Sequence, residues 1–234
     1  MYFKDRPEAG RLLARALKKY KGKDVIVYAL PRGGIVTALE IARYLHAPLD
    51  LIIARKIGHP YSPEYAIAAI AENGHIVSER GELASVDEKW LTEAIERERQ
   101  EVTRRRKKYL KKIKEISAKG KIAILVDDGV ATGLTLRVGI VELIHRHPKK
   151  IVVAVPVIQK STANIIKAEA DELVTLQRPS DDKFLGAVGA YYVHFPQVTD
   201  DEVISILQSY DEERKNVFTV DVTNGRDLFN YDEP

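Results

Sequence analysis

The sequence predicts an α/β fold built on a doubly wound, mostly parallel sheet. Three observations carry that prediction. Apolar runs alternate with amphipathic helical patterns, three of the runs (25–30, 122–126 and 151–155) are continuously apolar, and no repeat or low-complexity linker interrupts the series. Strands alternating with helices imply crossover connections and a sheet covered on both faces. Strands buried on both faces read as unbroken apolar runs.

The elements follow in order. A first helix is expected over 7–20, with Pro7 in its first turn, where a missing N–H costs nothing. Asp24-Val-Ile-Val-Tyr-Ala-Leu30 reads as a buried strand. Pro31-Arg32-Gly33-Gly34 forms a tight loop ahead of a helix at 35–46. Pro48 opens a second strand, 49–54, ending in Arg55-Lys56, and a loop rich in Gly and Pro occupies 57–65. Short strands at 66–71 and 75–78 flank Asn73-Gly74, a hairpin-turn pair. Residues 87–116 form one long helical pattern. Ile95, Val102, Tyr109 and Ile116 recur every seven residues, with Leu91 and Ile113 on the same side, an apolar stripe on a charged rod. Strand 121–127, helix 134–146, strand 150–157, helix 161–169 and strand 172–176 complete the alternation. Beyond 178 the pattern is irregular until Thr199 caps a helix at 200–214, and 215–234 is a polar tail. The expected organisation is a core over 1–177 with the long helix 87–116 inserted in it, a small hood at 178–196, and a C-terminal helix and tail at 197–234.

Composition excludes several classes. A chain of 234 residues, 45% of them hydrophobic, can bury a sizeable core and is not globally disordered. The absence of Cys excludes a disulfide scaffold, thiolate metal sites and a Cys nucleophile. No apolar run approaches the roughly 20 residues that span a bilayer. The start, MYFKDRPEAG, lacks the apolar stretch of a secretion signal, so a cytoplasmic setting is expected. The net charge of +3 conceals an asymmetry: residues 96–121 hold 12 basic and 4 acidic residues, residues 196–234 hold 3 and 10. Arg104-Arg-Arg-Lys-Lys108 keeps a nucleic-acid partner open, but only Tyr109 is interleaved for base stacking. A packing or dimer helix with a solvated basic face is the favoured reading.

The stretch that carries chemistry is Ile122-Ala-Ile-Leu-Val-Asp127-Asp128-Gly129-Val130-Ala131-Thr132-Gly133-Leu134-Thr135. A buried strand ends in two acids, a loop of small residues follows, and a helix begins. In an open parallel sheet, ligands bind beyond the carboxyl ends of the strands. Free loop N–H groups and the helix N-terminus make a seat for a phosphate. Gly129 and Gly133 permit close approach, and Thr132 and Thr135 add hydroxyl donors. The adjacent carboxylates suit the vicinal hydroxyls of a sugar, so the combination specifies a ribose 5-phosphate. It is not a Walker loop, because no Gly-Lys-Ser/Thr is present.

This stretch resembles, nearly residue for residue, the signature with which type I phosphoribosyltransferases bind phosphoribosyl diphosphate (PRPP). The resemblance extends in element order over 24–195, and the loop pattern is closest to adenine-type and purine-salvage members. It implies that Asp127 and Asp128 bind the ribose 2′- and 3′-hydroxyls and that residues 131–135 bind the 5′-phosphate. Pro31-Arg32-Gly33-Gly34 falls at the family's diphosphate loop, where similar proteins use a strained or cis peptide, and Arg32 adds forked donors. Arg55-Lys56 falls where adenine-type members place such a pair before a mobile closing loop. That implies diphosphate contact by Arg55 or Lys56, across a dimer interface, with closure excluding water. Glu64 is a candidate proton-handling residue. Residues 178–196 resemble the hood of purine-salvage members, with Phe184, Tyr191 and Tyr192 as candidates to stack on a base.

Two departures leave the acceptor open among orotate, purines, uracil and a non-nucleobase amine. Ala131 stands where hypoxanthine-guanine members carry an acid, as it does in adenine-type loops, and no hood acid falls near Tyr191. The resemblance thus implies transfer of ribose 5-phosphate from PRPP to a nitrogen acceptor, a nucleobase, with release of pyrophosphate. It also implies a homodimer and Mg²⁺ held mainly through PRPP, with Asp127 or Asp128 contributing. The rival is a non-enzymatic PRPP-sensing regulator that binds nucleic acid through the basic helix. A phosphohydrolase is weaker still, because the six His residues form no ligand-spaced set.

Overall fold

In a computed structural model, residues 2–79, 81–111 and 116–224 are described, 217–224 as backbone alone. Five strands, β1 (Val25–Ala29), β2 (Leu49–Leu51), β6 (Ile122–Val126), β7 (Lys150–Val157) and β8 (Glu172–Gln177), form a parallel sheet in the order β2-β1-β6-β7-β8. Three more, β3 (Ala54–His59), β4 (Ser62–Ala71) and β5 (Ile76–Ser78), form an antiparallel sheet. Six α-helices are described: α1 (Arg6–Ala16), α2 (Gly34–Leu45), α3 (Glu88–Tyr109), α4 (Leu134–Ile144), α5 (Lys160–Glu169) and α6 (Asp200–Asn224). The doubly wound α/β architecture is as expected.

The continuous apolar runs explain the layering. Along β1, Val25, Val27 and Ala29 join one core with Leu13 of α1, Ile41 of α2 and Leu207 of α6. Ile26 and Tyr28 join the other with Val138 of α4 and Ile166 of α5. Each such fully buried aliphatic side chain contributes about 1.5–3 kcal/mol. Register then places the functional edge. Val25–Ala29 align with Ile122–Val126, and these with Lys150–Ala154, so the strands end level. The Leu30 N–H donates to the Val126 carbonyl at 2.9 Å, bringing the Pro31–Gly34 loop beside Asp127 and Asp128.

Local chemistry sets the ends of α1. The Asp5 carboxylate accepts the Glu8 N–H at 2.8 Å as an N-cap, with Pro7 in the first turn. The α-helix stops at Ala16, and 18–20 turn as a 3₁₀ helix instead of continuing it. Asn73-Gly74 turns the β4–β5 hairpin as expected, with Gly74 at φ +83°.

Four further boundaries differ from the expectations. The second strand ends at Leu51, and Arg55 and Lys56 lie in β3, which pairs with β4. The expected loop 57–65 is the β3–β4 hairpin, turning at Pro60-Tyr61. Gly58 is what lets it close, because a Cβ there would collide with the Pro63 carbonyl, and the register breaks on either side of it. The long helix ends at Tyr109, not 116. Ile95, Val102 and Tyr109 pack on the first core but Ile116 on the second, so the chain crosses over between them. Ile113 lies outside the described residues. At the C-terminus α6 runs to Asn224, past the expected 214, because neither Pro nor Gly interrupts it before Gly225. The tail 225–234 lies outside the described residues.

The charge asymmetry finds a physical reason in this packing. Lys108 pairs with Asp200 at 3.1 Å and Arg104 with the same carboxylate at 3.9 Å, joining basic α3 to acidic α6. Arg104 and Arg105 also pair with Glu101, and Arg106 with Glu72. Among the described residues no helix is long and apolar enough to cross a membrane.

Candidate functional site

A cleft of about 710 Å³ opens at the carboxyl edge of the parallel sheet. Arg32 and Gly33 line it from the first loop, Asp127 and Asp128 from the end of β6, and Thr135 from the start of α4. Arg55, Lys56 and Glu64 line it from the β3–β4 hairpin. Eight of the candidates named from sequence thus line one cleft.

The two acids are held differently. Asp127 is half-buried, and its Oδ1 accepts the Asp128 N–H at 2.8 Å. Burial raises the Asp127 carboxyl well above the ordinary carboxylate range, and the neighbouring Asp128 charge adds to the effect. Asp128 is salt-bridged to Arg6, whose Nε donates to its Oδ2 at 2.6 Å. The glycine loop leans directly on this pair. A Cβ at Gly33 would collide with the Asp128 carboxylate, and one at Gly34 would come within 2.9 Å of the Val126 carbonyl. The Pro31–Arg32 peptide is cis.

Beyond the acids, Gly129 (φ +151°) and Gly133 (φ +83°) bend the chain into α4. Val130 is buried, and its N–H donates to the Val157 carbonyl at 2.8 Å, so that amide is spent on the sheet. Leu134 is buried as well and offers only its backbone. The N–H groups of Ala131, Thr132, Gly133, Leu134 and Thr135 have no hydrogen-bond acceptor among the described residues. That is the arrangement an anion at a helix start requires.

Cations surround the opposite side of the cleft. Arg32 lies 3.6 Å from Asp200, and the Arg55 Nε donates to Glu98 at 2.9 Å. Lys56 and Glu64 are exposed on the hairpin. Helix α3 adds Trp90, Arg97 and Arg105 to the wall.

The hood aromatics sit elsewhere than expected. Tyr191 and Tyr192 are only 4% and 7% exposed, in an apolar cluster with Phe3 and Val157. The Tyr192 hydroxyl donates to the Asp128 carbonyl at 2.6 Å, and the Tyr191 hydroxyl accepts the Leu185 N–H at 3.1 Å. Their ring faces are spent on packing, which corrects the expectation of two stacking platforms. Phe184 is half-buried, tilted against Tyr191 at 5.5 Å between ring centres.

Sequence reasoning missed Arg6 and the α3 contributions. Asp5-Arg6-Pro7 carries only a helix-start signal, and nothing local ties it to Asp128. The α3 residues become visible only once the helix is laid across the hairpin.

Comparison with known proteins agrees with this geometry. A crystal structure of TT1426 from Thermus thermophilus superposes with a TM-score of 0.75 at 38% sequence identity, covering 90% of this chain and 99% of that one. A Mycobacterium tuberculosis protein, provisionally named a phosphoribosyl transferase, is 37% identical over 207 residues, or 88% of this chain. The match covers 46% of that relative, so the chain spans about half the length of the curated relatives it matches. The family model of the phosphoribosyl transferase domain matches residues 6–192. The acid pair, the amide-lined bend and the domain match converge, and the chain belongs to the phosphoribosyl transferase domain family.

Proposed function

We propose that the protein transfers ribose 5-phosphate from PRPP to a nitrogen acceptor, a nucleobase, and releases pyrophosphate. The observation that carries the reading is the meeting, in one cleft, of two adjacent carboxylates, the Arg32 and Lys56 cations, and Thr135 at the end of a run of free amides. Neither a sugar diol alone nor a phosphate alone needs all three.

In this reading the acceptor nitrogen attacks ribose C1, the bond from C1 to the diphosphate oxygen breaks, and its electron pair leaves with pyrophosphate. The amides of 131–135 seat the 5′-phosphate, and Asp127 and Asp128 accept hydrogen bonds from the 2′- and 3′-hydroxyls. Arg32, Arg55 and Lys56 face the departing diphosphate, where fixed charge lowers the barrier most. Glu64 is the candidate to receive the proton lost by the acceptor. Two carboxylates at the cleft suit a hard cation, and no cluster of three or more ligating side chains exists among the described residues. Asp127 and Asp128 would therefore hold Mg²⁺ together with oxygens of the substrate, and the ion would offset diphosphate charge. Phe184 is the hood aromatic left to meet a base. The proposal includes a cytoplasmic homodimer working in nucleotide metabolism.

The nucleic-acid sensor reading loses its main support, because Arg104, Arg105, Arg106 and Lys108 are engaged by acids of the same chain. The test is pyrophosphate release from PRPP–Mg²⁺ with a panel of nucleobases and amines, using mass spectrometry to identify the product. A nucleoside 5′-monophosphate formed from one of them supports the reading, and no release with any acceptor counts against it.

A further inference from the structure

Arg6 is separated from Asp128 by 122 positions, yet its side chain is only 8% exposed. Burying a guanidinium costs several kcal/mol unless it is paired and fully hydrogen-bonded. Helix α1 does not need one there. Asp5 caps it, and Ala9 and Leu13 provide its packing face. Its side-chain hydrogen bonds run instead to the acid pair and the end of the hood. Nε donates to Asp128 Oδ2 and Nη1 to the Pro196 carbonyl, both at 2.6 Å. The guanidinium carbon stands 3.7 Å from the centre of the Phe195 ring. The Gly33 backbone comes so close that a Cβ there would lie 3.1 Å from Nε. One planar group therefore joins α1, the first glycine loop, the second acid of the pair and the end of the hood.

The chemistry of that junction is directional. Phe195 and Pro196 fix the plane of the guanidinium, and the Nε donor lying in that plane then fixes the Asp128 oxygen it holds. With Oδ2 engaged, Oδ1 is the oxygen Asp128 has left for a ligand in the cleft. We propose that Arg6 is a positioning residue for the ribose diol, setting through Asp128 the orientation in which that carboxylate meets the vicinal hydroxyls. Through Phe195 and Pro196 it ties the hood to the same orientation. The assignment rests on the reading of the cleft as a PRPP site. Arg6 itself does not touch the sugar.

The test is calorimetric titration of the full chain with PRPP–Mg²⁺, ribose 5-phosphate and 2-deoxyribose 5-phosphate. The proteins are wild type, R6M, R6K, D128N and the R6M/D128N double variant, with circular dichroism melting to check the fold. Wild type is expected to favour ribose 5-phosphate over the deoxy sugar by roughly tenfold, the worth of one charged hydrogen bond. R6M is expected to lose that preference and about tenfold in PRPP affinity. R6K should recover part of it, and R6M added to D128N should cost less than about twofold, since the path is already cut. A folded R6M with the wild-type sugar preference, or equal losses in both backgrounds, overturns the assignment. If R6M does not fold, R6K decides. It keeps the charge without the planar group that bonds Asp128 and Pro196 together, so its sugar preference must narrow severalfold, and an undiminished preference overturns the proposal. Wild type binding none of the three ligands overturns the PRPP reading and this assignment with it, an outcome visible before any variant is made.

Discussion

Helix α4 runs between two groups of acids, one half-buried and one buried, that have opposite surroundings. Before its first turn, Asp127 and Asp128 face a cleft with Arg6 as the single cation bonded to either carboxylate among the described residues. At its last turn, Glu142 is fully buried and saturated, held by Asn73, His75 and Arg146. Beside it Glu72 lies between Arg106 and Arg146. The second group pins the β4–β5 hairpin and α3 to the core. The difference teaches that a buried carboxylate is not by itself a mark of function. What marks the first group is bonding capacity left over and aimed at an open space.

That contrast can be broken by dissociating stability from binding. The largest effect is expected from Glu142→Ala. Removing one partner of a buried charged network costs about 3–5 kcal/mol, so thermal unfolding should show a large drop in Tm. PRPP affinity of the folded protein should stay at the wild-type value. Asp128→Asn should strike binding as well as stability. Its PRPP affinity, measured by calorimetry, is expected to fall on the order of a hundredfold, comparable to losing one preorganised group, alongside a drop in Tm because Arg6 loses its partner charge. PRPP affinity lost in folded Glu142→Ala, or kept in folded Asp128→Asn, would erase the distinction between the two groups.

Titration sharpens the comparison further. Burial pushes the Glu72 carboxyl up from 4.5 to about 7, against the pull of Arg106 and Arg146. A carboxyl with a raised pKa in the fold binds its proton more tightly folded than unfolded. Its contribution is therefore complete below about 4.5 and is lost as pH rises to about 7. Chemical denaturation at several pH values should show stability falling across that window, by an amount of order 2–3 kcal/mol, and Glu72→Gln should flatten the slope. The smallest effect concerns the hood. Tyr192→Phe removes one hydrogen bond to the Asp128 carbonyl, so it is expected to cost about 1 kcal/mol of stability without changing which acceptor is used. A switch of acceptor in that variant would return Tyr192 to the role first expected of it.

How much was legible from sequence follows the range of the interactions involved. The 127–135 bend was readable because strand, acids, glycines and helix start are contiguous and their chemistry is local. The parallel core was readable from three apolar runs. The hood was not. Whether Tyr191 and Tyr192 face a ligand or the core is decided by Phe3, Val157 and the Asp128 carbonyl, all distant in sequence. The end of α3 was misplaced because Ile116 continues the seven-residue spacing of Tyr109 while packing on the opposite side of the sheet. The 57–65 segment carries loop-like Gly and Pro, yet Gly58 serves a strand pairing that only the partner Pro63 reveals. Arg6 gave no signal beyond a helix start, because its role lies in a contact across the fold.

The central claim is that the cleft holding Asp127 and Asp128 takes PRPP. Titrating PRPP–Mg²⁺ into the wild-type chain in a calorimeter tests it most directly. One saturable site per chain, strongly weakened by Asp128→Asn and unchanged in folded Glu142→Ala, is the predicted result. No heat from the wild-type chain, or binding indifferent to Asp128, would contradict it.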